Sequence, residues 1–510
     1  MKKRTLFVAL ILMLAVAGCK SGSSPTATFK AFFEAQQKKD VAGMKKNLSK
    51  TSLTIMEKSA KEQNKTVDDA IKEQLDNPAS KTDKIPETRN EKINGNEATL
   101  ELHNEETNKW DMMYFAKEDG AWKIALDRTI EEIKVEAQAR AERGAYPLIG
   151  LDPADVREAL ANIKTPDRDE WAAAWSEVAQ RYYKAAEASQ SPQEKRKNFL
   201  RAWRLYYFGQ WPVAVSEGKK AAYSKALDAF LRANEAISPP LEVVRIPFEG
   251  KEIVGYLRLP SSADGPVPLV FAISGLDSRK ENLADTYGAL VDRGIGFFTL
   301  DSPGTGQSPV QASPTADRVF SRVLDYLAGR KEIDPKRIVV HGVSFGGYWA
   351  AKLAITERAR IRGIVAQSPP VADFFSVHHI RTSLMGNREY LFDQVPAFFG
   401  VLEGVTSMPE LEKVMATLSL RAQGLLGKPT APMLVIAGVK DTQVPISDMH
   451  LLLDNGDVPK DAWINPNGGH LGRESSGWTD PVIFEKIIAP WELKMLSPKA
   501  ASASGQPSVR

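Results

Sequence analysis

Cysteine is almost missing from this sequence. Cys19 is the only one in 510 residues, so no intrachain disulfide can form. Net charge is almost missing too, with 67 Lys and Arg against 64 Asp and Glu. Three of the cations, Lys2, Lys3 and Arg4, precede an apolar leader. Their loss with it would leave the formal charge at 3 − 3 = 0. That balance argues against a nucleic-acid-binding surface as the main function. The apolar run Leu6 to Ala17 is too short to span a bilayer, and low-complexity sequence is confined to the last residues. Histidine is scarce, six in all, so each can be weighed as a base. What is abundant is ordinary globular composition, in a chain long enough for roughly two to four domains.

The leader has a basic start (Lys2-Lys3-Arg4), an apolar centre and the ending Val16-Ala17-Gly18-Cys19. That ending resembles a bacterial lipobox. The resemblance implies a signal peptide over 1–18, cleavage before Cys19, and lipid on Cys19 as the link to a membrane. The alternative is a secretory signal with an incidental cysteine. The expected location is the bacterial cell envelope. Lys20 stands where an Asp would retain a Gram-negative lipoprotein on the inner membrane, which favours the outer membrane facing the periplasm. Residues 19–25 read as a short tether.

From 26 to 136 helical spacing (Phe29, Phe32, Phe33) gives way to alternation (Ala98, Leu100, Leu102), with Asn94-Gly95 and Asp119-Gly120 as hairpin turns. Trp122, Ile124 and Leu126 read as the last strand. Helices followed by an antiparallel meander predict a small α+β domain. In order and size it resembles the cone-like fold of the nuclear transport factor and ketosteroid isomerase type. No acid–base pair like the isomerases' is present, and His103 reads as a solvent-facing strand residue, so a spacer or protein-binding role is expected. Residues 151–238 read as a helical cap domain, with Trp171, Trp175, Val178 and Tyr182 on one helix face. Ser191-Pro192-Gln193-Glu194 opens a second helix, and a third has Tyr223, Leu227, Phe230 and Leu231 inward. Such aromatic stripes are ordinarily core; here part of one could also cover a catalytic mouth.

From 241 to 495 the pattern becomes a doubly wound, mostly parallel α/β sheet. Two alternating strands at Glu242 to Pro247 and Ile253 to Leu259 form an antiparallel edge. Buried-type runs follow at 269–273, 295–300, 338–340, 364–366, 433–437 and 462–464. The stretch from Ser376 to Leu426 is a longer helical insertion than an ordinary crossover. Residues 496–510 read as a disordered tail.

The chemistry centres on Ile338-Val339-Val340-His341-Gly342-Val343-Ser344-Phe345-Gly346-Gly347. A buried strand runs into G-x-S-x-G and then a helix, which is the nucleophile-elbow arrangement for Ser344. The pentapeptide alone occurs by chance; its strand and helix make it specific. A serine needs a base, and the base an orienting carboxylate. Strand 433–437 leads into Asp441. Strand 462–464 leads into the flexible loop Asn467-Gly468-Gly469-His470. Asp373, after the strand that follows the elbow, is the alternative acid. His341 reads as buried structure, His450 as a helix residue and His378-His379 as surface or cap positions. Asp301 shapes the loop Asp301 to Ser308. Backbone N–H groups of Phe345 and of Leu276, in Ser274-Gly275-Leu276-Asp277, are the candidate oxyanion hole.

These features together resemble the α/β-hydrolases of the fermentation–respiration switch protein and 2,6-dihydroxypseudooxynicotine hydrolase type. The matching parts are the helical block, Gly275-Leu276-Asp277-Ser278 with Lys280, Asp301 to Ser308, Gly342 to Gly347, Asp441 and His470. The resemblance covers about two thirds of the chain and implies a Ser344, Asp441 and His470 triad. The family includes esterases and carbon–carbon hydrolases, and related fungal enzymes shorten polyketide chains. The expectation is a serine esterase acting on a small acyl substrate. The alternatives are a C–C hydrolase of β-diketone or polyketide-like substrates, or a non-catalytic envelope binding lipoprotein. No metal, organic cofactor or nucleic-acid partner is implied.

Overall fold

The computed structural model describes residues 22–61, 65–76, 84–105, 109–261, 265–384, 390–391, 394–456 and 460–498. Cys19 with its leader, and nearly all of the 496–510 tail, lie outside the described residues. The chain divides into two compact units. One is Met1–Asn234 with Ser376–Val414; the other is Glu235–Phe375 with Met415–Arg510. The insertion read at 376–426 therefore leaves the second unit at Ser376 and returns to it at Met415.

The first unit opens with helices Pro25–Gln37, Val41–Lys46, Lys50–Lys61 and Val67–Asp76. Ser24 caps the first, its side chain accepting the Ala27 N–H while Pro25 occupies the first helical turn. An antiparallel meander follows: β1 (Thr88–Asn94), β2 (Glu97–Asn104), β3 (Lys109–Glu118) and β4 (Ala121–Ile124), paired in that order. The β3–β4 turn has Asp119 at φ 51° and Gly120 at φ 80°, the doubly positive pair that a tight hairpin requires. Phe29, Phe32 and Phe33 pack with Leu100, Phe115, Trp122 and Ile124 as this layer's core. The last strand stops at Ile124, short of the expected Leu126. The Ser52 hydroxyl accepts the Leu126 N–H at 2.8 Å and turns the chain into a short 3-10 segment instead. His103 is half-buried and its ring lies 4.9 Å from that of Trp110, its cross-strand partner.

Helices Thr129–Glu142, Pro153–Ala161, Arg168–Ala188, Pro192–Gln210 and Glu217–Asn234 form the rest of the unit's larger part. Trp171, Trp175 and Val178 are buried, with the Trp175 ring edge-on to Phe208 at 4.6 Å. Tyr182 is instead half-buried and donates to Asp155 at 2.7 Å. On the last of these helices the buried stripe is Ala222, Tyr223, Ala226, Ala229, Phe230 and Ala233. Leu227 and Leu231, expected inward, are only half-buried. Alanines on that face let the helix approach closely, and Gly209 does the same toward helix Arg168–Ala188, where a Cβ would lie 3.2 Å from the Trp175 Cβ.

The second unit is built on an eight-stranded sheet of order β12-β11-β10-β9-β7-β8-β6-β5. Its strands are β5 (Glu242–Phe248), β6 (Lys251–Arg258), β7 (Val267–Ile273), β8 (Gly296–Leu300), β9 (Ile333–Val343), β10 (Gly363–Gln367), β11 (Met433–Gly438) and β12 (Lys460–Asn465). Strands β12 to β8 in that order are parallel, and β6 and β5 join antiparallel at one edge. Every side chain from Leu269 to Ile273 is fully buried, as are Val339 and Val340. Both faces of the centre are covered, which is why these strands read as unbroken apolar runs. The arrangement is the expected mostly parallel α/β sheet, and it gathers the loops after β7, β9, β10, β11 and β12 at one end.

Candidate active site

Strand β9 ends at Val343 and helix Phe345–Thr356 begins two residues later, with Ser344 alone between them. Ser344 sits at φ 54°, ψ −116°, a conformation that L-residues hold only when their surroundings dictate it. Those surroundings are backbone. A Cβ at Gly342 would run into the carbonyl of Gly346, and one at Gly346 into the carbonyls of Ile273 and Ser274. Glycine at both places lets strand, helix and the loop after β7 meet around the serine. The Ser344 N–H donates to the Gln367 carbonyl at 2.8 Å, tying the elbow to β10.

Three of the expected side chains meet. His470 Nε2 lies 2.9 Å from Ser344 Oγ, and His470 Nδ1 lies 2.8 Å from Asp441 Oδ2. Asp441 Oδ1 accepts the N–H groups of Gln443 at 2.8 Å and Val444 at 3.0 Å. Burial pushes the Asp441 carboxyl up, but the His470 ring and these N–H bonds outweigh it and hold it below the usual carboxylate range. An ionised Asp441 accepts from Nδ1–H, which leaves the Nε2 lone pair for the serine proton.

The His470 loop is tightly held rather than flexible. Leu471 N–H donates to Ser368 Oγ at 2.9 Å, Gln367 Nε2 to the Leu471 carbonyl at 3.0 Å, and Asn465 Nδ2 to the Gly472 carbonyl at 2.9 Å. A Cβ at Gly438 would strike the carbonyls of Gly468 and Gly469. The loop glycines serve close approach, not freedom.

Asp373, the alternative acid, is not part of this chain of bonds. Its side chain is 42% exposed and its Oδ1 lies 3.4 Å from Arg421 Nη1, while the Nδ1 position of His470 belongs to Asp441. The Asp373 backbone is held elsewhere: buried Asp448 accepts the N–H groups of Val371, Ala372, Asp373 and Phe374 at 2.7–3.2 Å. Burial raises the Asp448 carboxyl in spite of those four bonds. Asp448 was missed by sequence reading; an acid on the inner face of helix Ile446–Asp454 was the available signal.

The loop after β7 packs on the serine, since a Cβ at Gly275 would lie 3.5 Å from the Ser344 Cβ. Among the described residues the N–H groups of Leu276 and Phe345 donate to no protein group. Asp301 is buried and accepts both the N–H and the Nζ of Lys280, each at 2.9 Å, and the Gln307 N–H at 2.9 Å. It shapes its loop as expected. His341 is buried structure: it bonds Tyr287, whose hydroxyl donates to Glu492 at 2.9 Å. Burial lowers His341 to about 4 and pushes Glu492 up to about 8, so both are neutral at pH 7. His450 and His378 are exposed and His379 is half-buried.

A mostly parallel sheet with a serine on the turn after its central strand defines the second unit as an α/β-hydrolase. The FrsA-like esterase family model matches residues 156–461, more than half of the chain, and the chain belongs to that family. It is 25% identical over 334 residues to the esterase FrsA of Serratia proteamaculans (strain 568), covering 60% of this chain and 78% of that protein. It is 30% identical over 247 residues to the α/β-hydrolase xenA of Xenoacremonium sinensis, covering 45% of this chain. The chain spans only 57% of the length of xenA. The fold is shared with the crystal structure of the 2,6-dihydroxy-pseudo-oxynicotine hydrolase, at TM-score 0.56 and 21% identity over 70% of this chain and 95% of that one.

Proposed function

We propose that this protein is a serine hydrolase that cleaves carboxylic esters through Ser344, His470 and Asp441, held at the cell envelope by lipid on Cys19. The observation that carries the catalytic reading is the pair of hydrogen bonds at 2.9 and 2.8 Å that joins Ser344 Oγ, His470 and Asp441 in series. The anchoring rests on the leader ending Val16-Ala17-Gly18-Cys19.

In this reading Ser344 Oγ attacks the ester carbonyl carbon while His470 Nε2 takes the hydroxyl proton. Asp441 keeps the other ring proton on Nδ1 and offsets the imidazolium charge. The carbonyl oxygen, now an oxyanion, accepts the N–H groups of Phe345 and Leu276. Collapse breaks the C–O bond, and His470 gives its proton to the departing alkoxide. Water then loses a proton to His470 and attacks the acyl carbon; the bond to Ser344 Oγ breaks, Oγ takes that proton back from His470, and the carboxylic acid leaves. A β-diketone would follow the same path with an enolate carbon as leaving group.

The test is labelling with a fluorophosphonate probe, followed by turnover of a panel of acyl esters and β-diketones. Wild type should label and hydrolyse esters. Turnover of diketones alone would move the assignment to C–C cleavage. A folded protein that neither labels nor turns over any substrate would be a binding lipoprotein, and the proposal would be wrong.

A further inference from the structure

Resting on that reading, we propose that Arg279 and Ser278 are positioning residues for the oxyanion site: they lock the peptides on either side of the one that carries the Leu276 N–H. Preorganisation is what makes such a donor effective, because a dipole already aimed at the developing charge needs no reorientation during reaction. A loop peptide is free to tilt unless its neighbours are held. Here they are held on both sides.

The peptide joining Ser274 to Gly275 is tied at each end. Its carbonyl accepts from Ser302 Oγ at 2.5 Å, and its N–H donates to Ser278 Oγ at 2.7 Å. The peptide joining Leu276 to Asp277 is tied through its carbonyl, which accepts from Arg279 Nη1 at 3.1 Å. The same Nη1 donates to the Ser278 carbonyl at 2.7 Å, so the guanidinium also fixes the residue whose hydroxyl holds Gly275. The peptide between carries the Leu276 N–H, which donates to no protein group among the described residues.

The clamp is itself immobilised. Arg279 is 0% exposed, and two of its contacts are to carbonyls of this loop. Lys280, next in sequence and equally buried, pairs with Asp301 at 2.9 Å and Glu281 at 2.8 Å. Ser302 N–H also donates to Ser274 Oγ at 3.2 Å. The segment from Ser274 to Lys280 is therefore stapled at both ends to Asp301 and Ser302. Two buried cations in a row at the start of a helix would be costly as mere scaffolding. Lys280 is compensated by Asp301 and Glu281, whereas Arg279 Nη1 donates to two carbonyls of the loop that lies against the serine.

The experiment compares wild type, Ser278→Ala and Arg279→Met on one ester, together with a trifluoromethyl ketone that adds to Ser344 Oγ and forms an oxyanion. Wild-type turnover that depends on Ser344 establishes the hydrolase reading independently of the two variants. Removing a whole oxyanion donor costs about 10²- to 10³-fold in kcat; misaiming one should cost on the order of 10- to 100-fold, with KM within about twofold. The ketone should lose affinity by the same factor as kcat/KM, while fluorescence and melting temperature show a folded protein. Ser278→Ala removes a small half-buried side chain, so it decides the matter if Arg279→Met does not fold. A folded Ser278→Ala enzyme with wild-type kcat and ketone affinity overturns the proposal. So does a loss that appears in KM and leaves ketone affinity unchanged.

Discussion

Replacing Asp441 with Asn should cost on the order of 10³- to 10⁴-fold in turnover, and the hydrogen bonds explain why the new amide cannot escape that cost. Two orientations are open to it. In one, the amide oxygen keeps the N–H bonds from Gln443 and Val444 and the NH₂ faces His470 Nδ1. In the other, the oxygen faces Nδ1 and preserves the working tautomer, but the NH₂ then meets two buried N–H donors. Each donor left without an acceptor costs about 1–3 kcal/mol, so the second orientation is disfavoured by about 2–6 kcal/mol. The first therefore prevails. It places a donor against Nδ1, drives the ring proton to Nε2 and turns the Nε2–H toward Ser344. A serine facing a donor has no base, and about 10³- to 10⁴-fold corresponds to about 4–5.5 kcal/mol of barrier. The assay is steady-state hydrolysis of a chromogenic ester, with Asp373→Asn measured alongside. A loss below tenfold for Asp441→Asn, or a larger loss for Asp373→Asn, refutes the reasoning.

Ser344→Ala should abolish fluorophosphonate labelling, and adding Asp441→Asn and His470→Ala to it should lower residual turnover little further, since the three act as one unit; a folded Ser344→Ala protein that still labels would end the serine-hydrolase reading. Cys19→Ser should give a soluble or unprocessed form, and fractionation with membranes at the wild-type level would contradict lipid attachment. The Glu492 carboxyl, raised from 4.5 to about 8, contributes stability that is fully present below pH 4.5 and is lost as pH rises toward 8, about 5 kcal/mol in total. Glu492→Gln should thus gain in melting temperature relative to wild type between pH 5 and 9, and a difference that does not change with pH would show that Glu492 is not protonated in the fold.

Much of the second unit was legible because burial on both faces writes itself as contiguous β-branched and aromatic residues. Ser344, Asp441 and His470 were legible for a related reason: each follows the end of such a run, where the sheet presents its loops. Side-chain partners drawn from distant segments were not legible. Nothing local marks Ser302 as the residue that holds the Ser274 carbonyl, or Ser52 as the one that ends β4 at Ile124. Asp373 and Asp441 both follow strands; only the fold reveals that Asp448 holds the backbone at Asp373, whose carboxylate faces Arg421. The alanine face of helix Glu217–Asn234 escaped a search for large apolar residues, because there closeness matters more than area.

Two different physical devices hold the loops of the site, and they divide the work according to what each group must do. Backbone lies on backbone at the serine and histidine loops, at Gly342 with Gly346 and at Gly438 with Gly468 and Gly469, and the side chains of Gln367, Ser368 and Asn465 hold the histidine loop as well. Contact of that kind is short-ranged and insensitive to pH. In the proposed mechanism it would suit two groups that stay within hydrogen-bond distance while a proton passes between them, where small displacements are costly. The loops after β7 and β10 are fixed by buried charge, through Arg279, Lys280 and Asp301 in one case and Asp448 in the other. Charge reaches further and gathers several backbone groups at once, which would suit the donor-aiming role proposed for the loop after β7. A Cβ at a glycine of the first kind should therefore break the fold outright. Removing a half-buried hydroxyl of the clamp, as in Ser278→Ala, should leave a folded enzyme whose losses fall on transition-state binding.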